Sequence, residues 1–414
     1  MRCEDTMASI RRVALSGLEE LDIASAMYYS LYEITGNHKD FATSLLRLIT
    51  YLLTIDVEYN VQGIGKTGFV YSNSYKNRKD HYAIFCSLER LFDDKTVFIP
   101  GKRRFYPRNL RYLIKVFRWF SSFHKAFGFH KAVYYTSMLL FGITNADYIY
   151  RILHKKVTKS VVVLSDMHLI DSLLVQRCNQ NGIVTATLQH GNFETDEPFV
   201  LSKSNYFLAH GEYTKSKAVR YGMAPERIKT VGFPKLIGHC DLDNTMKAGL
   251  VKSVGLILSG HAYAECDTHM IRCVESYCSE HDIKVKIKLH PGYGKENYTG
   301  VEWDRIDEVY GGEISIEGFK DKIDLAVVLN STVFIEYVLT LFPSLIYVDN
   351  DDTFIEGVSW CKFHSESDLE KLIDELTNNH EAFEKKMLEL RTCFSETDHV
   401  AQNYKSIITE ISGI

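Results

Sequence analysis

The chain holds 414 residues, 45% of them hydrophobic and 24% charged, with a formal net charge of −5. That length is more than one ordinary core takes up, so two domains of roughly 150–250 residues are expected in a globular protein. Nine cysteines, an odd number spread along the chain with no C-x-x-C pair, are expected to be reduced, and Cys266, Cys273 and Cys278 fit no zinc spacing.

The opening MRCEDTMASIRRVAL is too polar for a secretory signal and no run of about 18 apolar residues follows, so a cytoplasmic protein is expected. Residues 18–31 and 41–53 have helical periodicity and residues 67–71 read as a strand; residues 1–90 carry no other motif. From 101 to 131 the character changes. Cations, Arg103, Arg104, Arg108 and Arg111 among them, interleave with aromatics and no acidic residue intervenes. The pattern predicts one or two amphipathic helices and leaves two readings open. The aromatics fill the core and the charges are solvated, or the stretch lies on the inner face of an anionic membrane or lines a groove for an acidic acceptor. Nucleic acid is disfavoured, because the overall balance is acidic and no binding module surrounds the patch.

From residue 160 a regular alternation begins. Strands at 161–164, 184–188, 206–209 and 230–232 alternate with helices at 170–178 and 213–221, and a weakly patterned linker spans 237–252. The rhythm then resumes with strands at 255–258, 285–289, 325–329 and 345–348, a helix at 267–278, and closing helices at 369–376 and 381–393. Such βαβ alternation predicts parallel sheets with ligands at the carboxyl ends of the strands. The expected division is 1–240 for a first α/β domain, 253–390 for a second, and 391–414 as a helix packing back on the first.

Several candidate residues stand at strand ends. His190, followed by Gly191, suits a general base, with Asp166, Glu194, Asp196 and Glu197 as acids nearby. Lys286, Lys288 and His290 alternate along one strand and point to one face, where they suit a phosphate; Pro291 stiffens the turn. Ser259 ends another strand. The apolar run 325–329 leads into Asn330, Ser331 and Thr332, whose hydroxyls suit phosphate oxygens at a helix start, while Glu336 suits ribose hydroxyls. No G-x-x-x-x-G-K and no G-x-G-x-x-G follows a strand, which weighs against a kinase, an ATPase or an NAD enzyme. Asp349, Asp351 and Asp352 lie one turn too late for a metal on nucleotide phosphates, so metal-free chemistry without a bound cofactor is expected.

In order along the chain, Leu188-Gln189-His190-Gly191, Val231-Gly232-Phe233-Pro234, Lys288-Leu289-His290-Pro291 and Asn330-Ser331-Thr332-Val333-Phe334-Ile335-Glu336 are similar to the H-G, G-x-P, H-P and S-S/T-x-x-x-E/D motifs of bacterial surface-polysaccharide transferases. These are the CDP-glycerol glycerophosphotransferases, capsular polysialyltransferases and Kdo transferases. The resemblance covers about residues 160–350 and implies a GT-B fold, two Rossmann-like domains whose parallel sheets face a cleft, with the acceptor on 1–240 and the nucleotide donor on 253–390. It implies His190 as the base, and His290, Ser331 and Thr332, with Gly232 of the G-x-P turn, on the donor. At the acidic motif of the polysialyltransferases the chain departs from the pattern, and Asp166 and Glu194 are the available carboxylates. The expected activity is an inverting, metal-independent glycosyltransferase that moves a sugar or polyol phosphate from a nucleotide carrier to a capsule or O-antigen type glycan. A nucleotide-sugar epimerase or hydrolase, and a non-catalytic glycan-binding module, are the alternatives.

Overall fold

A computed structural model describes residues 3–15, 17–32, 41–60, 65–71, 79–189, 191, 197–238, 246, 249–260, 263–291, 293–349, 355–395 and 399–413. The chain divides into two compact units, Met1–Gly238 with Asp398–Ile414, and His239–Thr397.

The first unit runs α1 (Cys3–Arg11), α2 (Ile23–Tyr32), α3 (Phe41–Leu53), β1 (Thr54–Asn60), β2 (Thr67–Val70), α4 (Lys79–Glu89), β3 (Lys95–Phe105), α5 (Leu113–Phe127) and α6 (Phe129–Lys155). It continues with β4 (Ser160–Val163), α7 (Leu169–Gln180), β5 (Val184–Leu188), α8 (Glu197–Val200), β6 (Tyr206–Ala209), α9 (Glu212–Arg220) and β7 (Ile228–Thr230). Among the described residues its sheet has the order β1-β3-β2-β4-β5-β6-β7. Only the β1–β3 pair within it is antiparallel. The core lies between the sheet and the long helices α5, α6 and α7, with Trp119, Leu139, Val161 and Leu174 all fully buried.

Three of the differences from the sequence reading have a local cause. The helix expected over 18–31 starts at Ile23, because the Asp22 carboxylate accepts the Ser25 N–H at 3.0 Å and the Ser25 hydroxyl at 2.7 Å, as an N-cap does. The basic aromatic stretch begins inside a strand: Lys102 to Phe105 complete β3, and Pro107 opens a 3-10 turn, Pro107–Tyr112, before α5 starts. The strand expected at 230–232 ends at Thr230, since Gly232 turns with φ +94°.

The second unit runs β8 (Ser253–Ile257), α10 (Ala264–Glu280), β9 (Lys284–Lys288), β10 (Glu308–Tyr310), α11 (Ile316–Lys320), β11 (Leu325–Val328), α12 (Val333–Leu339), β12 (Ser344–Tyr347), β13 (Lys362–Phe363), α13 (Glu366–Asn378) and α14 (His380–Phe394). Its described strands form a parallel sheet ordered β10-β9-β8-β11-β12-β13. Numbered from β8 this is 3-2-1-4-5-6, the Rossmann order. β11 sits at the centre and is fully buried, which is why all of its residues are apolar. The last helix, α15 (Val400–Ser412), belongs to the first unit. Its Tyr404 is fully buried there and donates its hydroxyl to the Gly232 carbonyl at 3.2 Å.

Candidate functional site

In a sheet of order 3-2-1-4-5-6, connections leave β8 and β11 in opposite directions, and a crevice opens between their carboxyl ends. The loop after β8 carries Ser259 and Gly260, the loop after β11 carries Asn330, Ser331 and Thr332, and the loop after the neighbouring β9 carries His290 and Pro291. The three loops are joined. Ser259 Oγ accepts the Asn330 N–H at 3.2 Å, and the Leu258 N–H bonds the Lys288 carbonyl at 3.1 Å. A Cβ placed on Gly260 would lie 3.4 Å from the His290 ring and 3.2 Å from that of Tyr293; the backbone there has φ +104°. Glycine is therefore needed twice over, for the turn and for the approach of the rings. His290 is exposed, with its ring 5.2 Å from the Tyr293 ring, and Pro291 beside it is exposed as well.

Ser331 Oγ accepts the Val333 N–H at 3.4 Å, while Thr332, exposed at the N-cap of α12, makes no side-chain cap bond. Ser331 is half-buried and Thr332 exposed, and Glu336 lies half-buried one turn into the helix. Lys288 is placed differently from expectation. Its ammonium is buried and donates to the carbonyls of Leu289 at 3.1 Å and Gly311 at 2.5 Å, and burial lowers its pKa. It ties the ends of β9 and β10 together, where the sequence pattern suggested a phosphate ligand. Lys286 is likewise engaged, 2.8 Å from Glu308.

Sequence reasoning missed Asp267. This carboxyl in the first turn of α10 is fully buried, and its Oδ2 accepts the N–H groups of Ser259 at 2.9 Å and Gly260 at 3.4 Å. Its Oδ1 has no hydrogen-bond partner among the described residues, and burial pushes its pKa up to about 7. Asp267 thus fixes the loop after β8 from below. The Tyr298 hydroxyl, also buried and without a partner among the described residues, feels its charge: burial first and Asp267 second raise that phenol. An acid in a helix's first turn looks like an ordinary cap in sequence, so no signal marks Asp267 out. On the far side of the same helix His269 Nδ1 lies 2.9 Å from Asp349, which gives that carboxylate a local partner.

In the first unit, His190, Glu194 and Asp196 lie outside the described residues, and the structure places only their surroundings. Gln189 is a clamp. Its Oε1 accepts the His210 N–H at 2.7 Å, its Nε2 donates to the Gly191 carbonyl at 2.9 Å, and its own carbonyl lies 2.8 Å from His210 Nε2. A carbonyl only accepts, so the proton of that ring sits on Nε2; complete burial drops the pKa of His210 to about 3 and keeps it neutral. Asp166, a candidate catalytic acid, proves to be an anchor: Oδ2 takes the Ser202 hydroxyl at 2.9 Å and the N–H groups of Lys203 and Ser204 at 2.8 Å each. It is 2% exposed and holds the segment leading into β6. Gly232 is also spent locally, its N–H on the His210 carbonyl at 3.1 Å and its carbonyl on Tyr404. Of the other acids, Glu197 opens α8 and its carboxylate accepts the Tyr28 hydroxyl at 2.8 Å.

Arg103, Arg104, Arg108 and Arg111 are exposed along the end of β3 and the 3-10 turn. Arg103 stacks over the Tyr51 ring at 5.3 Å, and Arg111 over Tyr112 at 4.5 Å, within reach of Asp147 at 3.5 Å. Among the described residues no group of three or more acidic, histidine or cysteine side chains has the arrangement of a metal site, and no helix is long and apolar enough to cross a membrane.

No family model and no curated protein sequence matches the chain. Solved structures do match it in fold. A UDP complex of S. aureus MnaA aligns at 12% identity over 84% of this chain and 96% of its own, with a TM-score of 0.50. A Listeria monocytogenes protein described as a UDP-N-acetylglucosamine 2-epimerase aligns at 10% identity over 84% and 96%, with a TM-score of 0.52. At such identities the likeness speaks for the fold, and the chain has the two-unit, Rossmann-like α/β fold of the GT-B type.

Proposed function

We propose that this protein is an enzyme acting on a nucleotide-activated sugar, and that it converts the donor without a second glycan substrate, by epimerisation or hydrolysis. The observation that carries the nucleotide reading is the joining of three strand-end loops, those of Ser259-Gly260, His290-Pro291 and Asn330-Ser331-Thr332, at the switch point of a 3-2-1-4-5-6 sheet. His290 and the hydroxyls of Ser331 and Thr332 are proposed to hold the phosphates, and Glu336 the ribose. Lys288 and Asp267 keep the loops in place beneath them. His190 is proposed as the proton carrier, with Glu194 beside it, and the Gln189–His210 clamp sets where that loop leaves the sheet.

Conversion of the donor alone is favoured by the likeness, along nearly the full length of those chains, to one structure described as a 2-epimerase and to one solved with UDP. Transfer to a surface glycan is the second reading, favoured by the ordered H-G, G-x-P, H-P and S-T-x-x-x-E motifs. Incubation with a UDP-N-acetylhexosamine as sole substrate, followed by proton NMR, separates the two. A new sugar signal or free UDP without acceptor is expected; turnover only after a glycan acceptor is added returns the transferase. His290→Ala is expected to weaken UDP binding by about tenfold in calorimetry, the scale of one charge-assisted hydrogen bond. Unchanged affinity in that variant removes His290 from the site, and no UDP binding by the intact protein removes the nucleotide reading.

A further inference from the structure

The helix α5 is apolar on both sides. Val116, Trp119 and Phe123 face the core, at 4%, 0% and 0% exposure, and satisfy its need for burial. Yet Leu110, Leu113, Ile114 and Phe117, spaced as one helical face running from the 3-10 turn into α5, are exposed at 47%, 42%, 68% and 66%, with Phe105 of β3 at 72%. Beside the 3-10 turn packs α3, which adds Leu46 and Ile49 at 66% and 52% exposure. Isolated exposed apolar residues are ordinary; side chains this large on successive turns are not.

Cations share this stretch. Lys102 and Arg108 are exposed in the same segment as these apolar side chains, and between Asp94 and Asp147 the sequence has no acidic residue. Asp147 is itself neutralised, contacting Arg111 at 3.5 Å, Arg177 at 3.4 Å and Arg151 at 4.0 Å, and accepting the Tyr112 hydroxyl.

We infer that this face docks on the surface of an anionic lipid bilayer, with Ile114 and Phe117 entering the headgroup and acyl boundary and the cations meeting lipid phosphates. A second copy of the chain is a poorer occupant, because a two-fold contact would set these cations against each other. A polyanion in water is poorer too, since it leaves Ile114 and Phe117 wet. The inference stands independently of which reaction the enzyme performs.

The test is co-sedimentation of the full chain with vesicles of phosphatidylcholine alone and of phosphatidylcholine with phosphatidylglycerol. Binding to the mixed vesicles only, weakened by salt, is expected. Ile114→Glu with Phe117→Glu, and separately Lys102→Glu with Arg108→Glu, should each lower partitioning by about tenfold or more without moving the melting temperature. Four outcomes overturn the proposal: no binding to either vesicle, equal binding to both, variants that partition like the parent, or a dimer in ultracentrifugation that Ile114→Glu with Phe117→Glu dissociates. The charge-reversed pair guards against a folding defect in the apolar pair, because its side chains are exposed and charged from the start.

Discussion

Asp267 shows how much a single buried carboxyl decides. Its pKa rises from an ordinary 3.8 to about 7, so between those values the folded chain keeps a proton that the unfolded chain releases. Protons therefore favour the folded state in that window. The contribution of Asp267 to stability is complete below about pH 4, declines by at most about 1.4 kcal/mol per pH unit as pH rises, and is lost above about pH 7. His210 works the other way, since its pKa falls from 6.5 to about 3; stability present above pH 6.5 is lost as pH drops toward 3. The two slopes oppose each other in the parent protein, so the difference between parent and variant is the quantity to measure. Asp267→Asn should gain stability relative to the parent as pH rises from 4 to 7, in urea unfolding at a series of pH values. A difference independent of pH would mean that Asp267 is ionised throughout. None of this was legible in the sequence, where Asp267 is one acid among several near a helix start and nothing marks it as turned back onto the N–H groups of Ser259 and Gly260. His290, by contrast, stood out early, because a histidine directly after a buried strand is exposed by the geometry of the strand end.

Among the elements, those buried on both sides were the readable ones. β5 and β11 show as short runs because their positions in a parallel sheet demand apolar or small residues, while β9 shows by the strict alternation of Val285 and Ile287 with lysines. β3 was hidden, since Lys102, Arg103 and Arg104 at its exposed end look like a helix surface, and β10, with its three residues, is too short to display any period. Helix contacts were equally silent. Gly142 of α6 faces α7 so closely that a Cβ there would lie 2.6 Å from Leu169 Cγ and 2.9 Å from Leu173 Cδ1. Replacing glycine with alanine inside a helix ordinarily stabilises by about 1 kcal/mol, but here the branch of a buried leucine is in the way, and overpacking costs about 1–3 kcal/mol. Gly142→Ala is thus expected to forfeit that gain and lower stability by up to about 2 kcal/mol in denaturant unfolding. A stabilised variant would show that α6 and α7 part without cost.

On the scale of the whole molecule, the chain returns to its first unit at its end. Tyr404 of α15 reaches the Gly232 carbonyl inside that unit, close to the turn that carries the G-x-P motif. Tyr404→Phe leaves a buried carbonyl without this donor and should cost about 1–3 kcal/mol, read as a lower melting temperature; an unchanged melting temperature would show that the bond contributes nothing. The sequence by itself determined the alternation of strands and helices from residue 160 onward, the loops at the strand ends, and the basic, acid-free stretch, because these depend on periodicity and composition along the chain. Only the tertiary structure decided which of those residues are available. It spent Asp166, Lys288 and Gly232 on holding backbone, set Asp267 beneath the loop after β8, and left Ile114 and Phe117 in solvent. Hydrogen-bond partners and burial follow from how strands and loops are brought together, eight residues away for Asp267 and about 36–38 for Asp166, and no periodicity along the chain records them.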